Sequence, residues 1–309
     1  MERVVIAFLM KARPYCPNTL CEYHLSPPAR FSIKKGYYVT RWNHQKVARY
    51  QCRKCKKKFS SHTFYRTYRQ KKPFLNVKVF HLYCSATTQR RIAFILGFNV
   101  KTVVRKFLFL AKHAEELHLK KLLEKAFDVQ NVQFDEMLSF EHTRLKPLSI
   151  ALAVEQSTYQ IVALQVAESH YQGRLASIAL KKYGPRMDKS HEARREVLTA
   201  INSQLKSSCY ITTDEKPHYR NEVRFLVPRA KLCQVKNRGS RLERLLKARR
   251  RNIKDDMFEL NLVAAKIRHD LSRMARKVWV TTKRADRLQK HLMLFVAFHN
   301  GYPISTFRK

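Results

Sequence analysis

A chain of 309 residues that is 45% hydrophobic, with only 6 Gly and 10 Pro, has the length of two or three domains and is too apolar for a disordered tail. Its 63 Lys plus Arg against 23 Asp plus Glu leave a net charge of +40, which implies a polyanionic partner, because each neutralised phosphate releases a counterion. No stretch approaches the roughly 20 apolar residues of a membrane span, and residues 4–10 are too short and poorly flanked for a signal peptide, so the chain reads as cytoplasmic.

The basic excess is uneven. Residues 1–110 hold 24 Lys or Arg and only two acids, Glu2 and Glu22. Within them, Cys16 and Cys21 are followed by the closer pair Cys52 and Cys55. Seven Cys in a reducing compartment read as metal ligands or buried thiols rather than disulfides. Two Cys pairs around strand-like pieces at 29–33 and 37–42 predict a zinc ribbon over 1–70, since Zn2+ accepts four thiolates without geometric objection. The wider spacing of the first pair leaves His24 or His62 open as a substitute ligand. The basic run Lys56, Lys57, Lys58 flanks the second pair and suits phosphate.

Residues 71–130 predict a helix-turn-helix. A helix over 74–84 precedes Thr87 or Thr88, either of which can cap a second helix from Gln89. Ala93 is small where helices cross, Gly97 can take a left-handed turn, and Val103 anchors the next helix. Asn99, Lys101, Thr102, Arg105 and Lys106 then begin or line a recognition helix that faces DNA. Residues 111–127 are expected to continue as an amphipathic helix leading into the next domain.

Residues 131–309 read as a catalytic core. The run 132–140 is apolar and strand-like yet carries Asp135, an acid that needs a partner or a cation if it turns inward. Strands over 148–155 and 160–166, a loop over 170–186, a helix over 188–205 and a strand from Cys209 ending on Asp214 follow. That order is the one of a ribonuclease-H-like sheet, in which the first and fourth strands lie together, and it sets Asp135 beside Asp214. Glu136 alternates to the other face. A weaker strand over 230–235, a basic helix over 240–251 and a helix over 257–277 complete the reading. Glu259 and Lys266 share a face of the last helix, two turns apart.

Three motifs carry a resemblance: Phe134-Asp135-Glu136-Met137-Leu138-Ser139, Thr213-Asp214 followed by Tyr219, and Glu259-Leu260-Asn261 followed by Arg273, Arg276 and Lys277. In this order, across nearly the whole chain, they resemble insertion-sequence transposases of the DDE class with an N-terminal zinc ribbon and helix-turn-helix. Leu138 departs from that family's aromatic residue, and Asp255 and Asp256 compete with Glu259 as third acid.

The resemblance implies an α+β multidomain protein with a ribonuclease-H-like catalytic domain over 131–309. It implies Mg2+ (or Mn2+) held by Asp135, Asp214 and Glu259, and Zn2+ on Cys16, Cys21, Cys52 and Cys55. Lys266 would hold terminal DNA, and Arg244, Lys247, Arg249 and Arg250 would track its backbone. Transposon ends and target DNA are the expected partners, a homo-oligomer on DNA the expected assembly, and the nucleoid the expected place. A non-catalytic DNA-binding regulator and a nuclease without strand transfer are the alternatives.

Overall fold

The computed structural model describes residues 15–40, 44–127, 129–171, 173–235, 255–275 and 280–303. The expected basic helix over 240–251, with Arg244, Lys247, Arg249 and Arg250, lies outside them, as do Arg276 and Lys277. The chain divides into two compact units, residues 1–77 with 304–309, and residues 78–303. The segment expected to form a separate helix-turn-helix domain over 71–130 therefore falls mostly within the second unit.

In the first unit a short helix α1 (Glu22–Leu25) precedes an antiparallel sheet ordered β1 (Ser32–Val39), β2 (Lys46–Cys52), β3 (Lys58–Ser60). The two strand pieces expected at 29–33 and 37–42 are one strand whose register shifts between Lys34 and Tyr37. Gly36 sits at φ 73 in that bulge, where a side chain would be strained. The unit's apolar core is small: Phe31 and Phe59 stack with centroids 6.1 Å apart beside the buried Cys16, Cys21 and Cys52.

The division between the units falls within α2 (Asn76–Tyr83), and α3 (Gln89–Leu96) and α4 (Val100–Leu123) belong to the second. Both predicted stops and starts are there: Thr88 caps α3 by accepting the Arg91 N–H at 3.3 Å, and Gly97 ends it at φ 65. The expected continuation past residue 110 is there, ending at Leu123 rather than at 127. An apolar stripe of Val103, Phe107, Leu110, Ala111 and Ala114 continues without interruption, so α4 runs on as one helix, and it packs on the C-terminal helix α9 (Ala285–His299).

A five-stranded mixed sheet forms the centre of this unit, from β4 (Val129–Phe140), β5 (Pro147–Glu155), β6 (Ile161–Glu168), β7 (Leu205–Asp214) and β8 (Ala230–Val235). Their spatial order is β6-β5-β4-β7-β8. The first three form an antiparallel meander, whereas β7 lies parallel to β4 and β8 parallel to β7. Helix α5 (Ala176–Tyr183) occupies what was expected to be loop, and α6 (Ser190–Gln204) makes the crossover to β7. Helix α7 (Pro217–Leu226) begins at a proline in its first turn, and α8 (Phe258–Asp270) follows β8.

Both faces of the sheet are covered, which explains why every residue of β5 after Pro147 is buried. On one face Val132 and Phe134 pack with Ala193, Val197 and Ile201 of α6 and with Tyr219 and Val223 of α7. Gln133 alternates to the other face and bonds α8. Asp135 shares that second face with Gln133, while Glu136 shares the first with Phe134.

Candidate active site and metal centre

The four cysteines of the first unit converge. Their sulfurs all lie within 4.8 Å of one another, with Cys16 Sγ 3.5 Å from Cys55 Sγ and Cys21 Sγ 3.9 Å from Cys52 Sγ. A tetrahedron of about 2.3 Å Zn–S bonds has edges of about 3.8 Å, so this set is close enough to hold a metal ion and suits zinc. Desolvation opposes ionisation of Cys55, yet the Lys57 N–H and neighbouring Cys16 bring its thiol down to about 6, while burial pushes Cys16 up to about 12. Neither His24 nor His62 joins this group of ligand atoms; His24 Nδ1 instead bonds the Cys16 carbonyl at 2.7 Å. Lys56, Lys57 and Lys58 are exposed beside the cluster.

Of the residues expected on the recognition helix, Lys101 and Arg105 are exposed and Thr102 is half-buried. Asn99 is the N-cap of α4 and its side-chain Oδ1 accepts the Lys101 N–H at 2.8 Å, so this side chain serves the helix start. Lys106 departs from the expectation. It is three residues after Val103 and four before Leu110, hence inside the apolar stripe, and only 3% exposed. Burial pushes its ammonium down to about 8.

The parallel seam of the large sheet aligns two acids. Asn131 pairs with Tyr210 and Gln133 with Thr212, so two residues further on the same face Asp135 comes level with Asp214. Formal pairing stops at Gln133, leaving both carboxylates at the open end of the seam, 28% and 27% exposed. Unscreened carboxylates about 5 Å apart repel by about 3 kcal/mol at an effective dielectric constant near 20. Burial and the charge of Asp135 accordingly raise the Asp214 pKa, and Lys216 works against that rise.

Lys216 is the local answer to the repulsion. Its Nζ lies 2.7 Å from Asp135 Oδ1 and 3.5 Å from Asp214 Oδ2, and it donates to the Tyr219 hydroxyl at 2.9 Å. That hydroxyl, on a ring with no solvent exposure, has two acceptors, Asp135 Oδ1 at 3.1 Å and Glu136 Oε2 at 3.3 Å. The Glu136 N–H also donates to Asp135 Oδ1 at 2.7 Å, so the rotamer of Asp135 is held from three sides. Glu136 itself is committed elsewhere: Ser149 Oγ donates to it at 2.6 Å and Arg194 Nη1 at 3.3 Å, while Arg194 grips Glu222 with Nε and Nη2. A cleft of about 730 Å³ opens beside this edge, lined among others by Arg144, Tyr171, Lys216 and His218.

Glu259 approaches the same sheet face but not the same point. It is 5% exposed and accepts from Gln133 Nε2 at 2.5 Å, while Gln133 Oε1 accepts the Leu260 N–H at 2.8 Å. Gln133 precedes Asp135 by two residues on one face, about 7 Å along the strand. Among the described residues, the four cysteines are the one group of three or more His, Cys, Asp or Glu whose ligand atoms close to within 4.8 Å, so the three acids are not drawn into a single constellation. The competing acids are spoken for or turned out: Asp255 accepts the Met257 N–H and the Asn261 amide at the start of α8, and Asp256 is exposed. Lys266, two turns beyond Glu259, is exposed.

Gln133, Lys216 and Tyr219 were not foreseen as site residues. Their signals were present: a glutamine two positions before Asp135 in an apolar strand, and a lysine and tyrosine within five residues of Asp214. No described helix is long and apolar enough to cross a membrane. No protein-family model matches the chain, and no curated protein is similar to it.

Proposed function

We propose that this chain is a DNA transposase of the DDE class, whose second unit has a ribonuclease-H-like core and cuts and joins DNA strands at the Asp135–Asp214 edge. The observation that carries the reading is the register of the parallel seam, which levels two part-exposed aspartates on one face. The pair fits a divalent cation, since a cationic ammonium already lies against both carboxylates. Asp135 and Asp214 would hold Mg2+ or Mn2+, and Glu259, the third ligand that the resemblance implies, would have to leave Gln133 to join them. Divalent ions there supply Lewis-acid activation of water or a 3′-hydroxyl and neutralise charge at phosphorus.

The remaining work falls to the chain. Tyr219 and the Glu136 N–H fix the Asp135 rotamer. Glu136, saturated by Arg194 and Ser149, anchors the strand end. Exposed Lys101, Arg105 and Lys266 contact phosphate, as does the basic flank of a Zn2+-loaded ribbon in the first unit. Pairing of two transposon ends calls for a homo-oligomer on DNA, with the nucleoid as its place.

One observation favours a second reading, a non-catalytic DNA-binding regulator: Glu259 bonds Gln133 rather than joining the two aspartates. Incubation with the DNA flanking the gene on both sides, as candidate transposon ends, and Mg2+ separates the readings. Joined strands that vanish in Asp135→Ala and Asp214→Ala, with DNA binding retained, support the transposase. Cleavage without joining marks a nuclease, and band shifts alone mark the regulator.

A further inference from the structure

We propose that Lys216 is a built-in counter-cation of the Asp135–Asp214 pair, which a divalent ion must displace in order to bind. The inference rests on the metal-binding part of the function proposed above. Three observations carry it. The Nζ touches both carboxylates at once, at 2.7 and 3.5 Å, and approaches Glu136 Oε2 at 4.0 Å, so it occupies the electrostatic centre of the edge. The same Nζ donates to the Tyr219 hydroxyl at 2.9 Å, which itself bonds Asp135 Oδ1 at 3.1 Å, so the ammonium is tied into the acids' own network. Its side chain is 35% exposed beside an open cleft of about 730 Å³, which gives the ammonium somewhere to go.

Displacement makes Lys216 a positioning residue. It holds the two carboxylates side by side against their repulsion while no metal is bound, and it sets a threshold that the metal has to exceed. Tyr219 keeps its hydrogen bond to Asp135 in either state, so the Asp135 rotamer survives the exchange.

The test is Mn2+ binding to the full-length, zinc-loaded protein, followed by the loss of the free-ion electron paramagnetic resonance signal. Lys216→Met keeps the stem and removes the charge, and it should tighten Mn2+ binding about fivefold, the scale of one part-exposed ion pair. Lys216→Arg should restore the weaker affinity of the wild type, and far-UV circular dichroism confirms that both variants fold. Unchanged or weaker binding in Lys216→Met, with measurable binding in the wild type, overturns the counter-cation and leaves the metal site standing. Absence of Asp135-dependent Mn2+ binding in wild type and Lys216→Met alike overturns both.

Discussion

Gln133 ties Glu259 to the strand that carries Asp135: one end of its amide donates to the Glu259 carboxylate and the other accepts the Leu260 N–H, with all three residues buried. A single side chain thus sets how far helix α8 stands from the acid edge. Replacing it by leucine leaves a buried carboxylate and a buried N–H without partners. Gln133→Leu should cost about 2–4 kcal/mol in urea denaturation, from the unmade bonds to a charged and a neutral group. A loss below about 0.5 kcal/mol would show that the amide is no tie.

The cysteine cluster stands in for a core that the first unit lacks. One zinc per chain is expected, falling to none in Cys52→Ser by elemental analysis. Because binding energy at such a site is folding energy, amides of β1 and β2 should lose hydrogen-exchange protection in that variant while those of β4 and β5 keep theirs. Full protection of β1 without metal would contradict this.

Asp214→Asn removes a carboxylate whose charged form the fold disfavours, through burial first and Asp135 second. The variant should gain about 1 kcal/mol, or about 2–4 °C in Tm, while losing strand joining. A lower Tm would mean that the bond to Lys216 outweighs the repulsion.

Acid should loosen the second unit well above the range where carboxylates titrate. Burial holds His291 down to about 3 and His118 down to about 4, the latter also bonded through Nδ1 to the Tyr302 hydroxyl at 2.7 Å. Both are neutral in the fold and protonate near 6.5 when unfolded, so the unfolded chain binds more protons in between. Stability is then full above about pH 6.5 and declines through pH 5 towards pH 4. Denaturant midpoints measured at unit pH intervals check this, and a flat profile from pH 7 to 4 would refute it.

Much of the sheet was legible because alternation and strand length are local properties. The strand over 230–235 and the α6 stripe of Ala193, Val197, Leu198 and Ile201 fall where the pattern predicts. Lys106 was misread because a cation in a basic helix looks solvated until the stripe from Val103 to Ala114 is traced past it. Helix α7 was hidden behind Pro217, which reads as a turn but suits a first helical turn. Lys216 stands two residues after Asp214, but its reach to Asp135 could not be read, since a charge pair across the β4–β7 seam exists only once the crossover has closed.

That seam has a consequence for the order of folding. The β4–β5–β6 meander is built from near neighbours, whereas the match of Gln133 with Thr212 must wait for the whole segment between them to loop back. The two like charges therefore meet at the slowest pairing in the sheet, on top of its entropic barrier. Pulse-labelled exchange should find β7 amides protected after those of β5, and the delay should shorten in Asp214→Asn. The acids at the edge would then be a brake on the chain's own assembly as well as the place where it acts.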